Sequence, residues 1–534
     1  PVTTVSKVDV HRLVTIMKVR HIRDDHPESG GGETVHARRH LLTLTIAGAM
    51  AAGLPAAALA QDDAGGGTLV AAIGAEPDQL DPHVTSSYNS FQVLENVLDT
   101  LVEPDENLEM TGALAETWDV SEDGLTYTFD LRDGVSWHDG SPFTSADVVY
   151  SYDRWLTNNG WRFGTVAEVT APDDDTVVFT LSAPTPNLLS HLGAYKGLAV
   201  VQQANVDSGD ITTAPVGTGP FSVAAWNSGD SIEIVANDAY WGGDIALDGV
   251  TFRFVPDPTV AVTNVQSGEA DWTSNLPPQQ VASLKDSSDI VVQAVPSNDY
   301  WYFALNQARE PIGDARVRQA LAYAIDREAI AQATNFGNAT VNQTAIPETS
   351  GWYFDYAPYT RDLEQAQALL DEAGVSDLTI DLMVSSDHPQ SVTAAQVIAA
   401  NAADIGVNVE IRQLDFSTWL AEQGEGNFDG FLLSWIGNID PGDFYYAQHH
   451  SSGGFNAHSY SNPEVDTLLD QAAAESDREA RKALYDQAAT LIVDDASYVY
   501  LYNPQIIHGM SPDVEGYSAR GDAAIRFRDV SLSE

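Results

Sequence analysis

Polar and apolar positions alternate over residues 126–132, so Tyr127, Phe129 and Leu131 share one face and predict a half-buried strand. Asp133-Gly134 then turns the chain. A second stop at His138-Asp139-Gly140-Ser141-Pro142 leads to Thr144, three residues before Asp147, a capping-box spacing with the shorter acid in place of Glu. The helix predicted to follow carries Val148, Val149 and Tyr152. Upstream, residues 68–72 read as a short first strand, and residues 91–101 place Val93, Leu94, Val97, Leu98 and Leu101 at helical spacing before Glu103-Pro104 ends the run. Downstream, residues 298–303 form a strand that is aromatic on one face in either register, and an apolar strand, residues 430–435, runs into a Gly/Asn/Asp/Pro loop.

Length changes the picture from one core to several: 534 residues predict about two to four domains at roughly 150 residues each. With 43% hydrophobic and 19% charged residues the chain is globular, and 11 Trp and 20 Tyr supply aromatic surface of the kind that lines clefts as well as cores. The formal net charge of −52 excludes nucleic acid and anionic membrane surfaces as partners, because both require basic patches. Beyond residue 60 only Lys196, Lys285 and Lys482 remain as lysines, and 18 basic residues face 72 acidic ones. Such acidity fits either a protein adapted to high salt, where screening relieves self-repulsion, or a generally acidic secreted protein.

Residues 38–60 combine Arg38-Arg39, an apolar stretch interrupted by Gly48, Gly53 and Pro55, and an Ala58-Leu59-Ala60 ending. This pattern predicts an export signal, of twin-arginine type in its paired arginines but without the usual flanks, since Ala37 and His40 border the pair. Residues 41–60 are also just long enough for an uncleaved membrane anchor; the alanine-rich end favours cleavage. Residues 1–33 precede the signal without apolar periodicity. The absence of cysteine excludes disulfides, thiolate metal sites, Cys nucleophiles and a lipobox anchor, so the expected location is extracytoplasmic without a lipid tether.

The residues 112–154, GALAETWDVSEDGLTYTFDLRDGVSWHDGSPFTSADVVYSYDR, resemble the hallmark segment of the extracytoplasmic solute-binding proteins of the peptide/nickel ABC transporter family. Further agreements follow in order: Leu80-Asp81-Pro82-His83, Pro215-Val216-Gly217-Thr218-Gly219-Pro220-Phe221, Asn237-Asp238-Ala239-Tyr240-Trp241, Gly268-Glu269-Ala270-Asp271 and the helix from Asp314 to Arg327. The resemblance spans about residues 68–503 and implies an α/β fold of two lobes, periplasmic-binding-protein-like of type II in its large three-subdomain form, with a ligand cleft between the lobes. It places the first lobe at 62–100, 211–303 and 498–534, an inserted subdomain at 101–210 and the second lobe at 304–497, after an extension and signal at 1–60.

The resemblance also points to the ligand site. Open α/β sheets bind ligands beyond the carboxyl ends of strands, and residues 433–446 form such a strand and loop. In dipeptide-binding relatives an acid three residues after the Trp pairs with the peptide amine; here Trp435 is followed at that spacing by Asn438, which lacks the charge. Asp440 either restores a carboxylate or shapes the turn before Pro441. From the other lobe Tyr88 and Asn89 are cleft candidates, Tyr88 either stacking on solute or capping the helix entry, and Trp301 is a further candidate near the crossover. Gly217 and Gly219 read as a tight turn, not a phosphate cradle, and Arg316, Arg318 and Arg327 as ion-pair partners of Asp314, Asp326 and Glu328.

His449, His450 and His458 form the one His cluster but lack a metal-binding spacing and read as structural or surface residues. No GxSxG elbow, Walker A or complete dinucleotide fingerprint occurs, so no catalysis and no cofactor or metal is expected; a carboxylate-dependent hydrolase is the remote alternative. The expected function is capture of a solute outside the membrane and delivery to the transmembrane subunits of an ABC permease by hinge closure, as a monomer. Di- or oligopeptides lead as solute, with oligosaccharides and nickel chelates as rivals.

Overall fold

The computed structural model describes residues 66–159, 164–194, 197–435 and 439–533. The signal and extension expected in residues 1–60, and the candidate Asn438, lie outside the described residues. Among the described residues no helix is long and apolar enough to cross a membrane.

The chain opens with β1 (Thr68–Ile73) and α1 (Tyr88–Leu94). It continues through β2 (Val102–Pro104), β3 (Met110–Gly112), β4 (Ala115–Val120), β5 (Thr126–Leu131), α2 (Ser145–Asn159), β6 (Val166–Asp173), β7 (Thr176–Leu181) and α3 (Leu188–Gly193). Next come β8 (Phe221–Asn227), β9 (Ser231–Ala236), β10 (Gly249–Phe254), β11 (Trp272–Thr273) and β12 (Val291–Pro296). The second half holds β13 (Tyr300–Leu305), α4 (Ala315–Ala324), α5 (Arg327–Asn335), β14 (Ala339–Val341), β15 (Thr379–Ser385), β16 (Asn408–Leu414), β17 (Gly430–Trp435), α6 (Pro441–His449), α7 (Arg478–Asp494) and β18 (Tyr498–Met510).

One sheet runs through the molecule in the order β16-β15-β17-β13-β18-β11-β1-β10-β9-β8, with β12 and β14 also paired to β18. The 13-residue β18 joins its two halves. Tyr498–Tyr502 of β18 pair with β13, whereas Gln505–Met510 pair with β12. Residues 297–299 and 503–505 thus connect the two halves of the sheet, and Tyr300–Leu305 and the first part of β18 pair on the β17 side. The resemblance places residues 300–303 and 498–503 with the first lobe, whereas their strand pairing lies on the β17 side. The physical reason is that β13 is apolar at every position, YWYFAL, and needs both neighbours and both faces covered.

Three cores follow the same division. The largest draws on residues 300–502, a second on the β1-β10-β9-β8 side, and a third on residues 101–200 around the antiparallel sheet β4-β5-β7-β6. In that inserted sheet β5 alternates as its sequence predicts, with Tyr127, Phe129 and Leu131 buried. The capping box holds as well: Asp147 accepts the Thr144 backbone N–H at 2.9 Å, and α2 starts at Ser145.

Gly217-Thr218-Gly219 is a close approach of backbone to backbone. A Cβ on Gly217 would sit 1.8 Å from the Val97 carbonyl oxygen, so no other residue fits unchanged. His138 pins this turn by accepting the Gly217 N–H at Nδ1 (3.1 Å), which leaves Nε2 to donate to the Gly219 carbonyl (3.0 Å). Of the three arginines expected in ion pairs around α4, only Arg316 makes one, with Asp314. Arg318 and Arg327 are buried and donate to backbone carbonyls, Arg318 to Ile312, Gly313, Asp495 and Ala496, and Arg327 to Tyr500 and Ala322. Their forks satisfy carbonyls at strand and helix ends.

Candidate functional site

The candidate cleft lies where β17 ends and β13 begins, beside the crossings between the lobes. Tyr300 stands opposite Trp435 and Trp301 opposite Ser434 across the antiparallel pair. Opposed residues share a face, so the two candidate tryptophans point to opposite sides of the sheet. Trp435 is half-buried and meets Phe455 edge-on, with ring centroids 4.8 Å apart. Phe455 is 49% exposed and completes an aromatic lip that the sequence did not signal, because it is isolated in a polar stretch. Trp301 is 8% exposed and stacks on Tyr502, so its ring packs into the core.

Asp440 is also committed. It caps α6 by accepting the Gly442 N–H at 2.9 Å, and both carboxylate oxygens are held by Arg481 at 2.6 and 2.8 Å. Both side chains are buried. Of the two roles left open by sequence, shaping the turn is the one this geometry serves; a ligand amine would have to displace a buried guanidinium.

From the first lobe, Tyr88 and Asn89 open α1, with Ser87 at the N-cap making no side-chain capping bond. The Tyr88 ring is 39% exposed. Desolvation pushes its hydroxyl pKa up, hydrogen bonding with Gln92 opposes that shift, and the Asp299 carboxylate adds to it. Tyr88 is thus near Asp299, which lies on the crossing itself. There the Asp299 N–H donates to Ser297 Oγ (2.9 Å) and its carbonyl accepts from Asn503 Nδ2 (2.9 Å). Ser297 donates its N–H to the Pro504 carbonyl at 2.9 Å, which ties the two crossing segments together. The polar triplet Ser297-Asn298-Asp299 between two apolar strands is the signal that could have located this crossing.

Around the cleft the cations are matched by anions: Arg481 with Asp440, Arg478 with Glu109 and Arg520 with Asp522. A second polar site lies inside the first lobe, a cavity of about 40 Å³ lined by Glu95, Asp99, Glu103, Arg526 and Arg528. Burial raises the Asp99 pKa to about 6 against the opposing hydrogen bonds from Trp241 and Thr218 (2.8 Å each). A space of that size holds a water or two and no solute.

His449 and His458 are buried within the largest core, that of residues 300–502. His449 binds Ser497 Oγ through Nδ1 (2.9 Å) and the Tyr500 hydroxyl through Nε2 (2.8 Å), and His458 reaches the same Ser497 at 2.9 Å. Among the described residues no group of three or more His, Asp or Glu is arranged to hold a metal ion.

The chain matches the bacterial extracellular solute-binding proteins, family 5 Middle, over residues 109–457. It is 30% identical over 504 residues to the glutathione-binding protein GsiB of Pectobacterium atrosepticum, covering 91% of this chain and 98% of the relative. It is 29% identical over 463 residues to the dipeptide-binding protein of Escherichia coli K12, covering 79% and 86%. Among solved structures it is similar to the periplasmic binding protein DppA from Helicobacter pylori in complex with the peptide STSA, at 28% identity and a TM-score of 0.74 over 88% of this chain and 99% of that one. HbpA2 from Haemophilus parasuis gives 26% identity and a TM-score of 0.82 over 88% and 100%. The mixed α/β fold is thus that of type II periplasmic binding proteins, exported and transport-associated and not enzymes. The chain belongs to the bacterial extracellular solute-binding proteins of family 5, which bind solute outside the membrane and deliver it to an ABC permease.

Proposed function

We propose that the solute is a short peptide, of about dipeptide to tetrapeptide size, held by a monomer between its two lobes. The observation that carries this is the agreement of relatives over nearly the whole chain: a glutathione-binding protein at 30% identity, and binding proteins solved with the peptides STSA and Met-Leu at 28% and 26%. The site chemistry supports it. An aromatic lip of Trp435 and Phe455 on one lobe and Tyr88 with Asn89 on the other offer ring faces and an amide to a ligand of mixed polarity. Extended peptides bring their own backbone donors and acceptors, so such a site accepts varied side chains in wet pockets.

Native mass spectrometry of gently purified protein tests the class: peptide masses are expected, and a hexose ladder in their place overturns it. Titration of glutathione and of Met-Leu into wild type and Trp435→Ala tests the placement. The variant is expected to bind about tenfold or more weakly, as loss of a buried aromatic contact implies, and unchanged affinity removes Trp435 from the site.

A further inference from the structure

We propose that the inserted subdomain is a clasp. It is fixed to the first lobe and holds the closed arrangement through Glu109, His191 and Leu108, which meet Arg478, Asp443 and Ile439 of the second lobe. These are positioning residues: they set solute affinity without touching solute. The proposal rests on the two-lobed binding reading but not on the solute class.

The two sides of the subdomain are held by bonds of different kinds. Toward the first lobe the links are buried and multiple. Glu103 of the subdomain pairs with Arg526 and Arg528 of the first lobe, each at 2.7 Å, and Arg526 is held in turn by Glu95 of its own lobe at 3.4 Å. Arg520 donates to the Pro104 and Asp105 carbonyls at 3.0 Å each. The Arg526 and Glu103 side chains are only 13% and 15% exposed, and a buried network loses too much when one member leaves to act as a hinge.

Toward the second lobe the links are few and partly wet. Glu109 grips Arg478 through two bonds of 2.5 Å, both side chains 45% exposed, and His191 Nε2 lies 3.1 Å from Asp443 Oδ1. Beside them Leu108, Ala194 and Ile439 form a small separate apolar cluster. An exposed ion pair contributes little on its own, and a small apolar contact adds modestly. Terms of that size suit an equilibrium between two lobe arrangements, which must be reversible for release.

Two further observations fit the role. Leu108 occupies the left-handed region at φ 63°, an uncommon conformation for a branched apolar residue, and it delivers the side chain that enters the contact. On the receiving side, the Asp440–Arg481 pair ties the start of α6 to the first turns of α7, and Arg478 and Arg481 both lie over the Trp352 ring, at 5.0 and 5.5 Å from its centroid. The clasp therefore closes on a braced block that directly follows β17.

The chain has no cysteine, so Glu116→Cys and Ala421→Cys, both at exposed positions, give a clean spin-label pair across the lobes. Pulsed dipolar distances are measured without added solute, so a mistaken solute class leaves the result intact. A population with the lobes closed is expected in the otherwise unaltered chain. Arg478→Glu lowers the closed-to-open ratio about three- to tenfold, and adding Glu109→Arg restores it. Leu108→Asn, which keeps the left-handed backbone and removes the apolar contact, lowers the ratio similarly. Thermal melts confirm that each variant is folded. The absence of any closed population, ratios unmoved by Arg478→Glu, or a charge swap that fails to rescue overturns the clasp.

Discussion

Arg481 embraces Asp440 across 41 residues of sequence, nitrogen to oxygen at 2.6 and 2.8 Å, with both side chains out of water. The pair fixes where α6 begins and thereby the direction in which the chain leaves β17. Replacement of either member alone leaves the other charge buried. Arg481→Met or Asp440→Ala is expected to lower the unfolding free energy by about 3–5 kcal/mol in urea titrations, the range for breaking a buried pair. A loss below about 1 kcal/mol would show that water reaches the site.

Acid should destabilise the fold before the carboxylates of the surface titrate. Burial holds the His83 pKa down at about 4 and those of His449 and His508 at about 3. Their unfolded counterparts titrate near 6.5, so below that pH the unfolded chain binds protons that the folded chain refuses, and stability falls as pH drops from about 6.5 toward 3–4. Asp99 works the other way: its pKa, raised to about 6 by burial, makes protonation between about 6 and 4 favour the folded state. Burial also lowers the pKa values of His138 and His458 and raises those of Glu95, Asp147 and Asp271, and the large depressions of the buried imidazoles outweigh the raised carboxyls. Urea midpoints measured at intervals from pH 7.5 to 5, a window that spans the unfolded imidazole pKa near 6.5, should decline as pH falls through that value, and less steeply in His508→Asn.

Gly217→Ala tests the close approach of the turn to the segment that follows α1. The added Cβ would lie 1.8 Å from the Val97 carbonyl oxygen, a distance that backbone must move to relieve. Destabilisation of about 2–3 kcal/mol is expected, near the upper end for overpacking, together with a lowered melting temperature. Gly134→Ala is the contrasting control: its φ of 75° is positive, which Gly217's is not, and nothing lies within 4 Å of its Cβ position, so it tests turn strain without a clash.

Salt is expected to raise the melting temperature. The net charge of −52 is spread over a chain with few lysines, and screening of the resulting repulsion favours the compact state. Calorimetric melts in rising NaCl should shift upward, and more strongly than for Arg481→Met measured against its own low-salt value only if that buried pair is itself salt-sensitive; its burial implies equal shifts.

Much of the local architecture was legible because it is written in short periods. The alternation at Tyr127, Phe129 and Leu131, the Thr144–Asp147 box and the glycine turn at 217–219 each depend on neighbours within a few residues. What escaped depends on partners far away in sequence. Asp440 reads as a candidate ligand until Arg481 is brought to it by the packing of α6 on α7. Arg318 and Arg327 read as helix-surface ion pairs until the carbonyls of residues 495, 496 and 500 arrive from the far end of the chain. The aromatic run at 300–302 promised a cleft face, but strands on both edges and cover on both faces enclosed it. Phe455 and the 108–109 hairpin tip carry no periodic signal at all, so their place beside the cleft emerges only in three dimensions.

The position of β18 bears on when this protein can fold. It occupies the middle of the sheet, between β13 on one side and β11 on the other, yet it is made after every strand it pairs with. Until residue 510 has emerged, β13 has β17 as its one sheet neighbour and β12 has no strand to pair with. The two halves of the sheet can therefore be joined only once β18 has been made.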